Sequence, residues 1–353
     1  MTLPQAERMM FEAIASICIE TGGETICRYA LLPGFAADTE AGCLAALHEG
    51  EVELSGQTGP PSCVRRRASR LLFTEIAPGV FAHRGAIEEP GPGNLGDVSN
   101  IGFVIGENAI AVIDAGGSRA VGEEVYLAIR ERSDLPILAV ILTHMHPDHV
   151  FGAGPLAESG AEVIGRAGLS RALAERSGNY SEGFTGLIGP EGFLGTRVVS
   201  PDREVKAEEM LDLGNRTLHL VARPTAHTAT DLTVADLASG VVFAGDLVFA
   251  EHAPALDGSL KGWQATLAAI REEPAALLVP GHGGPTLPWP EGGAALSAYL
   301  AALEEDTRNA IEAGVPLSTA AATIGRGEAA NWSLFDLYNA RNATVAYTEL
   351  EWE

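Results

Sequence analysis

Basic residues are scarce in this chain of 353 residues, where 23 Lys and Arg stand against 47 Asp and Glu and the formal net charge is −24. Nucleic-acid-binding proteins present a basic surface to phosphate groups, and no basic face is visible here. We therefore expect no nucleic-acid partner. An acidic surface mainly aids solubility, although it can also steer cations or a basic partner.

Long apolar runs are also missing. No stretch reaches the roughly 20 residues that a transmembrane helix needs, so we expect no membrane span. The N-terminal segment MTLPQAERMMFEAIASICIE is amphipathic and carries acids, unlike a signal sequence with a basic start and an apolar centre. Two localisations stay open: the cytoplasm, or the periplasm if a leader is absent from this sequence.

Cysteine is absent from most of the chain, and all four cysteines precede residue 64: Cys18, Cys27, Cys43 and Cys63. An even, clustered set predicts two disulfides in a small N-terminal unit and hence an oxidising compartment. Buried free thiols in a cytosolic protein are the alternative. A structural zinc site is disfavoured, because no Cys-x-x-Cys pair occurs.

Apolar periodicity and turn residues predict mixed sheets with helices outside them, which is an α/β class. Strand patterns occur at 71–85 (a hairpin), 100–116 (two strands joined at 106–108), 137–144, 161–165, 217–222, 231–236, 241–245 and 276–279. Helical patterns occur at 5–20, 38–48, 119–132, 149–160, 167–177, 262–272 and across most of 293–326.

A stretch rich in Gly, Pro and Arg at 56–70 predicts a linker and a boundary near residue 68. We therefore predict three parts. They are a mainly helical, cysteine-bearing N-terminal extension at 1–68, a catalytic domain at 69–290, and a C-terminal helical segment at 291–353 that packs on the catalytic domain.

The strongest chemical signal is the segment Thr143-His144-Met145-His146-Pro147-Asp148-His149, directly after an apolar run. Two residues that are two positions apart in an extended chain point the same way, so His144 and His146 lie together. Pro147 suits the first position of a helix, which lets Asp148 and His149 curl back beside them.

Three more candidate ligands follow apolar strands, with Gly or Pro nearby: His227, Asp246 and His282. Sites in open α/β sheets gather where strands end. Zinc prefers imidazole nitrogen and carboxylate oxygen, and a catalytic zinc keeps a position for water. We predict that His144, His146 and His227 hold one ion, that Asp148, His149 and His282 hold a second, and that Asp246 bridges the two.

This set of motifs resembles the metallo-β-lactamase superfamily over roughly residues 71–285, including the strand end VIDAGG at 112–117. The resemblance implies a four-layer αββα sandwich with the metals at one edge. It also implies a structural role near the metals for Asp114. Classical zinc β-lactamases have Cys or Ser where this chain has Asp246, which disfavours β-lactam hydrolysis. Flavodiiron members usually have Glu where this chain has His146, which favours zinc.

A closer resemblance is to the quinoprotein relay system zinc metallohydrolases, similar to sulfur-oxidation-associated metallohydrolases. It is carried by GDVSNIGFVIG, PTAHTATDLTV, FAEHAPALDGSLKGW and the C-terminal NATVAYTELEWE. That resemblance implies export to the periplasm and a quinoprotein dehydrogenase as partner.

These observations predict a dinuclear zinc hydrolase that uses a metal-bridging hydroxide to cleave an ester, lactone, thioester or related bond in a small molecule. Asp148 or water would protonate the leaving group. The alternatives are a β-lactam hydrolase, a mononuclear iron sulfur dioxygenase on the same fold, and an accessory protein of a quinoprotein dehydrogenase. Iron and manganese are the alternative metals.

The segment after Asp246 contains further candidates. His252, Asp257 and Lys261 lie in a loop-like region and would hold a substrate carboxylate or oxyanion, or else pack the loop. Trp263 is expected to begin a helix and pack, with substrate stacking as the alternative.

Overall fold

The computed structural model describes residues 9–50 and 54–353. Three sheets organise this part of the chain. Their strands are β1 (Phe11–Thr21), β2 (Glu24–Ala37), β3 (Ser62–Arg65), β4 (Phe73–Ala77), β5 (Val80–His83), β6 (Ile101–Ile105), β7 (Ile110–Ile113), β8 (Ile137–Leu142), β9 (Glu162–Arg166), β10 (Arg203–Val205), β11 (Glu208–Asp212), β12 (Thr217–Ala222), β13 (Leu232–Asp236), β14 (Val241–Phe249) and β15 (Leu277–His282).

The helices flank these sheets. They are α1 (Glu40–Glu49), α2 (Arg119–Arg130), α3 (Pro147–Val150), α4 (Ala153–Glu158), α5 (Leu169–Phe193), α6 (Leu260–Glu272), α7 (Ala294–Glu312), α8 (Leu317–Ala320) and α9 (Phe335–Leu350). Within the described residues, none of them combines the length and the apolar character that crossing a membrane requires.

Two of the sheets pack face to face and form the centre of the molecule. One has seven strands in the order β10-β9-β8-β7-β6-β5-β4, and the other has five in the order β11-β12-β13-β14-β15. A buried apolar layer from both sheets fills the space between them. Helices α2, α4 and α5 cover the outer face of the first sheet, and α6, α7 and α9 cover that of the second. The predicted four-layer αββα sandwich is confirmed.

The N-terminal extension differs from the prediction. The helix expected at 5–20 is wrong over the described residues, where β1 pairs with β2 and β3 in an antiparallel sheet, and residues 5–8 lie outside the described part. Ala13, Ala15 and Ile17 are buried, at the two-residue spacing of a strand. Ile14, on the opposite face, packs against the core of the seven-stranded sheet. Both faces of β1 are therefore covered. For this reason the sequence lacks the alternation of apolar and polar residues that marks a half-buried strand.

The predicted linker at 56–70 is wrong in part, because β3 lies within it. Two disulfides fix the extension, Cys18–Cys27 across the β1–β2 hairpin and Cys43–Cys63 between α1 and β3. The free-thiol alternative is therefore wrong for this structure. The helix predicted at 38–48 is confirmed as α1.

Candidate metal centre

The chain folds so that the seven predicted ligand residues meet at one edge of the two central sheets. They form two groups whose ligand atoms lie within 4.8 Å of one another. The first cluster comprises His144, His146, His227 and Asp246. The second cluster comprises Asp148, His149 and His282.

Three distances define the first cluster. Nε2 of His227 lies 3.0 Å from Nδ1 of His146. Oδ2 of Asp246 lies 3.3 Å from Nε2 of His227 and 3.6 Å from Nε2 of His144. Three imidazoles and one carboxylate oxygen therefore face a common centre.

The second cluster is joined to the first through Asp246. Nε2 of His282 lies 3.3 Å from Oδ2 of Asp148 and 3.5 Å from Nε2 of His149. The other oxygen of Asp246, Oδ1, lies 3.1 Å from Nε2 of His149 and 3.5 Å from Nε2 of His282. Asp246 thus has one oxygen in each cluster.

The donor atoms fit metal ions. Zinc–nitrogen bonds of about 2.0–2.1 Å in a tetrahedral site place the ligand atoms roughly 3.3 Å apart, close to the distances found here. Nε2 of His144 and Oδ1 of Asp246 are buried without a hydrogen-bond partner in the described part of the chain. Buried polar atoms normally have partners, so these two are suited to a cation at each cluster.

Each of the five imidazoles is held from behind by an oxygen atom on its other ring nitrogen. The partners are Thr143 Oγ1 at 3.0 Å for His144, Asp257 Oδ2 at 3.3 Å for His146, Asp114 Oδ2 at 2.8 Å for His149, the Ala255 carbonyl at 2.5 Å for His227 and the Val98 carbonyl at 2.9 Å for His282. Such oxygens fix the tautomer and leave the inner nitrogen free to bind a metal. Asp114 also accepts from the Thr143 amide and hydroxyl, as its expected structural role requires.

Close backbone contacts position His282 and Asp246. Asn100 donates from Nδ2 to the carbonyls of Pro280 and Gly283 at 2.8 and 2.6 Å, which ties the start of β6 to the end of β15. β14 continues through Asp246 to Phe249, with an irregular register where it passes Gly245. The sequence interpretation that the strand ends at Asp246 is therefore wrong, and Asp246 lies within the irregular stretch between Gly245 and Phe249.

The histidines of the two clusters differ in pKa. Burial opposes the charged form of His149 and His282, but Asp246 and other carboxylates outweigh it, holding the pKa of His149 well above its ordinary value and raising that of His282 to about 9. Burial lowers the pKa of His144 well below its ordinary value and that of His227 to about 3. Excess carboxylate charge therefore lies at the second cluster, where it would favour a cation.

The centre opens to solvent beside His146 and Asp148, whose side chains are 15% and 16% exposed, whereas the other five ligand candidates are at most 7% exposed. Asp257 lies at this opening. Its carboxylate accepts from Nη1 of Arg176 at 2.6 Å and from Nη2 of Arg341 at 3.1 Å. Two arginines thus stand one side chain away from the first cluster.

The family model described as the metallo-beta-lactamase superfamily matches residues 95–282, more than half of the chain. The chain belongs to the metallo-beta-lactamase superfamily. Members of this superfamily are metal-dependent hydrolases. The matched range contains all seven ligand candidates.

Solved structures show the same fold. The chain is 20% identical to a metallo-beta-lactamase from Pontibacter korlensis, with a TM-score of 0.54, over 66% of this chain and 99% of that one. It is 17% identical to the stereoselective inverting sec-alkylsulfatase Pisa1 from Pseudomonas sp., with a TM-score of 0.61, over 79% of this chain and 50% of that one. It is 21% identical to TMB-1, with a TM-score of 0.50, over 65% of this chain and 97% of that one.

Of the other candidate site residues in this superfamily member, some lie beside the metal centre and others pack or pair elsewhere. His252 is buried, with its ring 4.7 Å from that of His282. Lys261 instead pairs with Glu304 at 2.7 Å, and Trp263 is fully buried with its Nε1 donating to the Leu247 carbonyl. Lys261 and Trp263 therefore support the framework, as the packing alternative proposed.

Four residues at the opening were not predicted from the sequence: Arg176 and Tyr180 on α5, and Tyr338 and Arg341 on α9. The Tyr338 ring lies 4.9 Å from that of His252. Burial, followed by the charge of Asp148, raises the pKa of the Tyr338 phenol, so it stays a hydrogen-bond donor at the opening. Isolated residues on two distant helices carry no motif, and only their packing brings them together.

Proposed function

We propose that the protein is a dinuclear zinc hydrolase that cleaves an ester, lactone, thioester or related bond in a small molecule. The observation that carries this proposal is the carboxylate of Asp246, which has one oxygen in each of two adjoining clusters. A residue placed in this way suits a bridge between two cations. The superfamily match supports hydrolysis as the reaction class.

The chain's own residues would divide the work. His144, His146 and His227 would hold one ion, Asp148, His149 and His282 the other, with Asp246 between them. When bound, two zinc ions supply a hydroxide nucleophile at neutral pH and polarise the scissile carbonyl. We assign proton transfer to Asp148, a carboxylate at the open side of the centre, whereas Asp246 is buried. Asp148 would accept the proton that the nucleophile releases on attack and pass it to the leaving group.

Elemental analysis combined with a substrate screen tests the proposal. We expect about two zinc ions per chain from the ligand count. We also expect hydrolysis of at least one lactone, thioester or aryl ester by the zinc-loaded protein. The screen includes β-lactams, phosphodiesters and a sec-alkyl sulfate, the last because a structural neighbour is a sec-alkylsulfatase. Tightly bound iron with oxygen uptake would instead support the sulfur dioxygenase alternative.

The disulfides Cys18–Cys27 and Cys43–Cys63 support an oxidising compartment such as the periplasm. A quinoprotein dehydrogenase partner rests on sequence resemblance and stays a prediction. Pull-down of such a dehydrogenase by the native protein and by His146→Ala would separate a scaffold role from catalysis.

A further inference from the structure

We propose that Arg176 and Arg341 bind an oxyanion group of the substrate, a carboxylate or a sulfate, at the opening of the metal centre. The inference rests on the proposed function and adds that the substrate carries a negative charge. It makes these two arginines specificity-determining residues.

The arginines converge from separate helices. Arg176 lies on α5 and Arg341 on α9, and both contact Asp257 in the loop that follows β14. Asp257 in turn contacts His146 of the first cluster. Both guanidinium groups are therefore separated from the first cluster by the single side chain of Asp257.

The charges at this point do not balance. At Asp257, two guanidinium groups share a single carboxylate, in a chain whose overall charge is −24. The two arginines use different oxygens of Asp257: Arg176 donates to Oδ2 at 2.6 Å and Arg341 donates to Oδ1 at 3.1 Å.

Both arginines also keep hydrogen-bond donors for a ligand. Arg176 uses Nη1 for Asp257 and the Tyr180 hydroxyl, and Arg341 uses Nη2 for Asp257. Their remaining guanidinium N–H groups have no protein partner in the described part of the chain. Their side chains are 39% and 63% exposed, so these donors can reach a solute. A guanidinium group offers five N–H donors in a planar fork that matches a carboxylate or sulfate.

The need to orient His146 does not by itself explain why two arginines contact Asp257. Asp114 orients His149 by the same kind of hydrogen bond, at 2.8 Å, and its other partner is Thr143 rather than an arginine. One carboxylate without a guanidinium partner is thus enough to hold an imidazole in this centre. The two arginines on Asp257 therefore have a second role in this proposal. Their exposed N–H groups bind the oxyanion group of the substrate.

Two matched pairs of probes test the inference. The first is 4-acetoxybenzoate and its methyl ester, which share the scissile acetate and differ in one charge. The second is 4-acetamidobenzoate and its methyl ester, amide analogues whose binding is measured by calorimetry. 4-Acetamidophenyl sulfate compares a sulfate with the carboxylate.

The variants are Arg176→Gln, Arg341→Gln, their double variant and Arg341→Lys. The control is Arg171→Gln, an exposed arginine of α5 that pairs with Glu175.

We expect the zinc-loaded native protein to prefer the anionic ester over its methyl ester by at least about tenfold in kcat/KM, the effect of one charge-assisted contact. The double variant should lose this preference through KM, while Arg171→Gln keeps it and Arg341→Lys keeps part of it. Equal losses for both esters would show that the arginines only position His146, and would overturn the inference.

The binding arm separates this inference from the proposed function. If the native protein hydrolyses neither ester but binds 4-acetamidobenzoate or 4-acetamidophenyl sulfate more tightly than the neutral amide, and the double variant does not, the inference stands and ester hydrolysis fails. If the native protein binds both amides equally and shows no preference for the anionic ester, the inference is wrong.

Discussion

Gly281 and the carboxylate of Asp246 approach so closely that a Cβ atom at position 281 would lie 1.9 Å from Oδ1. The same Cβ would also meet the backbone of Gly245 and the Asp246 amide at 2.8 Å. No side chain fits there unless Asp246 moves, and Asp246 is the residue that joins the two clusters.

Gly281→Ala is therefore expected to displace Asp246 and to lower zinc content at both clusters, with a loss of at least about tenfold in metal affinity. The measurement is zinc per chain after dialysis against a weak chelator. Gly178→Ala is the control, because a Cβ there meets nothing within 4 Å. Unchanged zinc content in Gly281→Ala would show that the carboxylate does not depend on this contact.

Substitutions at the ligand candidates should distinguish the two proposed zinc ions. We expect Asp246→Asn to reduce both zinc equivalents, because Oδ1 and Oδ2 serve different clusters. His282→Asn should mainly remove the ion of the second cluster. His219→Asn, at a partly exposed histidine that pairs with Glu208, should retain about two ions. Loss of only one ion from Asp246→Asn would contradict a bridging carboxylate.

Asp257→Asn tests the orientation of His146. The amide keeps the size of the side chain but presents a weaker acceptor to Nε2 of His146, which lies 3.3 Å from Oδ2. We expect zinc affinity to fall by about 10- to 100-fold, as is typical when the outer partner of a metal-binding histidine is lost. Competition with a fluorescent zinc chelator measures it, and Asp336→Asn, at an exposed aspartate of α9, serves as the control. Equal affinities in the two variants would contradict the prediction.

His83 should make folding stability depend on pH. Its Nδ1 lies 3.0 Å from the Leu72 carbonyl and its Nε2 lies 2.8 Å from Oδ1 of Asp97, so only the doubly protonated ring donates to both. Burial opposes that charge, but Asp97 outweighs burial and raises the His83 pKa. The resulting stabilisation is fully present below the unfolded pKa of about 6.5 and is lost as the pH rises through the folded pKa.

Urea unfolding of the native protein and of His83→Gln measures this effect. The difference in the free energy of unfolding should be larger at about pH 5.5 than at about pH 9, by on the order of 1 kcal/mol. A second variant, Asp97→Asn, should flatten the same pH dependence. A difference that is constant across this range would show that the ring is neutral in the fold.

The residues of the candidate metal centre could be grouped from the sequence because most of them are marked by a local pattern. His144 follows the buried strand β8, and His282 ends β15, so the apolar runs reveal both the strands and the residues at their ends. Spacing alone placed Asp148 and His149 beside them. The strands between residues 71 and 145 were also predicted, because the apolar runs in the sequence coincide with the buried residues of these strands.

Features set by tertiary contacts were not predictable in this way. β1 is covered on both faces, so its apolar residues match a helix as well as a strand. Arg341 lies on α9, within the C-terminal helical segment predicted at 291–353, but its role depends on a carboxylate 84 residues earlier in the chain. Asp257 itself was noted only as part of a loop, because no local pattern shows that it faces His146.

The contacts between α9 and the loop after β14 have a consequence for the order in which the site is completed during folding. Asn342 binds the Leu256 amide at 2.8 Å and the Pro254 carbonyl at 2.6 Å, and Glu349 accepts from the amide of Leu260. The loop so anchored carries both the carbonyl behind His227 and the carboxylate behind His146. All seven ligand candidates precede α9 in the chain, so the oxygen atoms behind His146 and His227 reach their finished positions only when this helix docks on the loop.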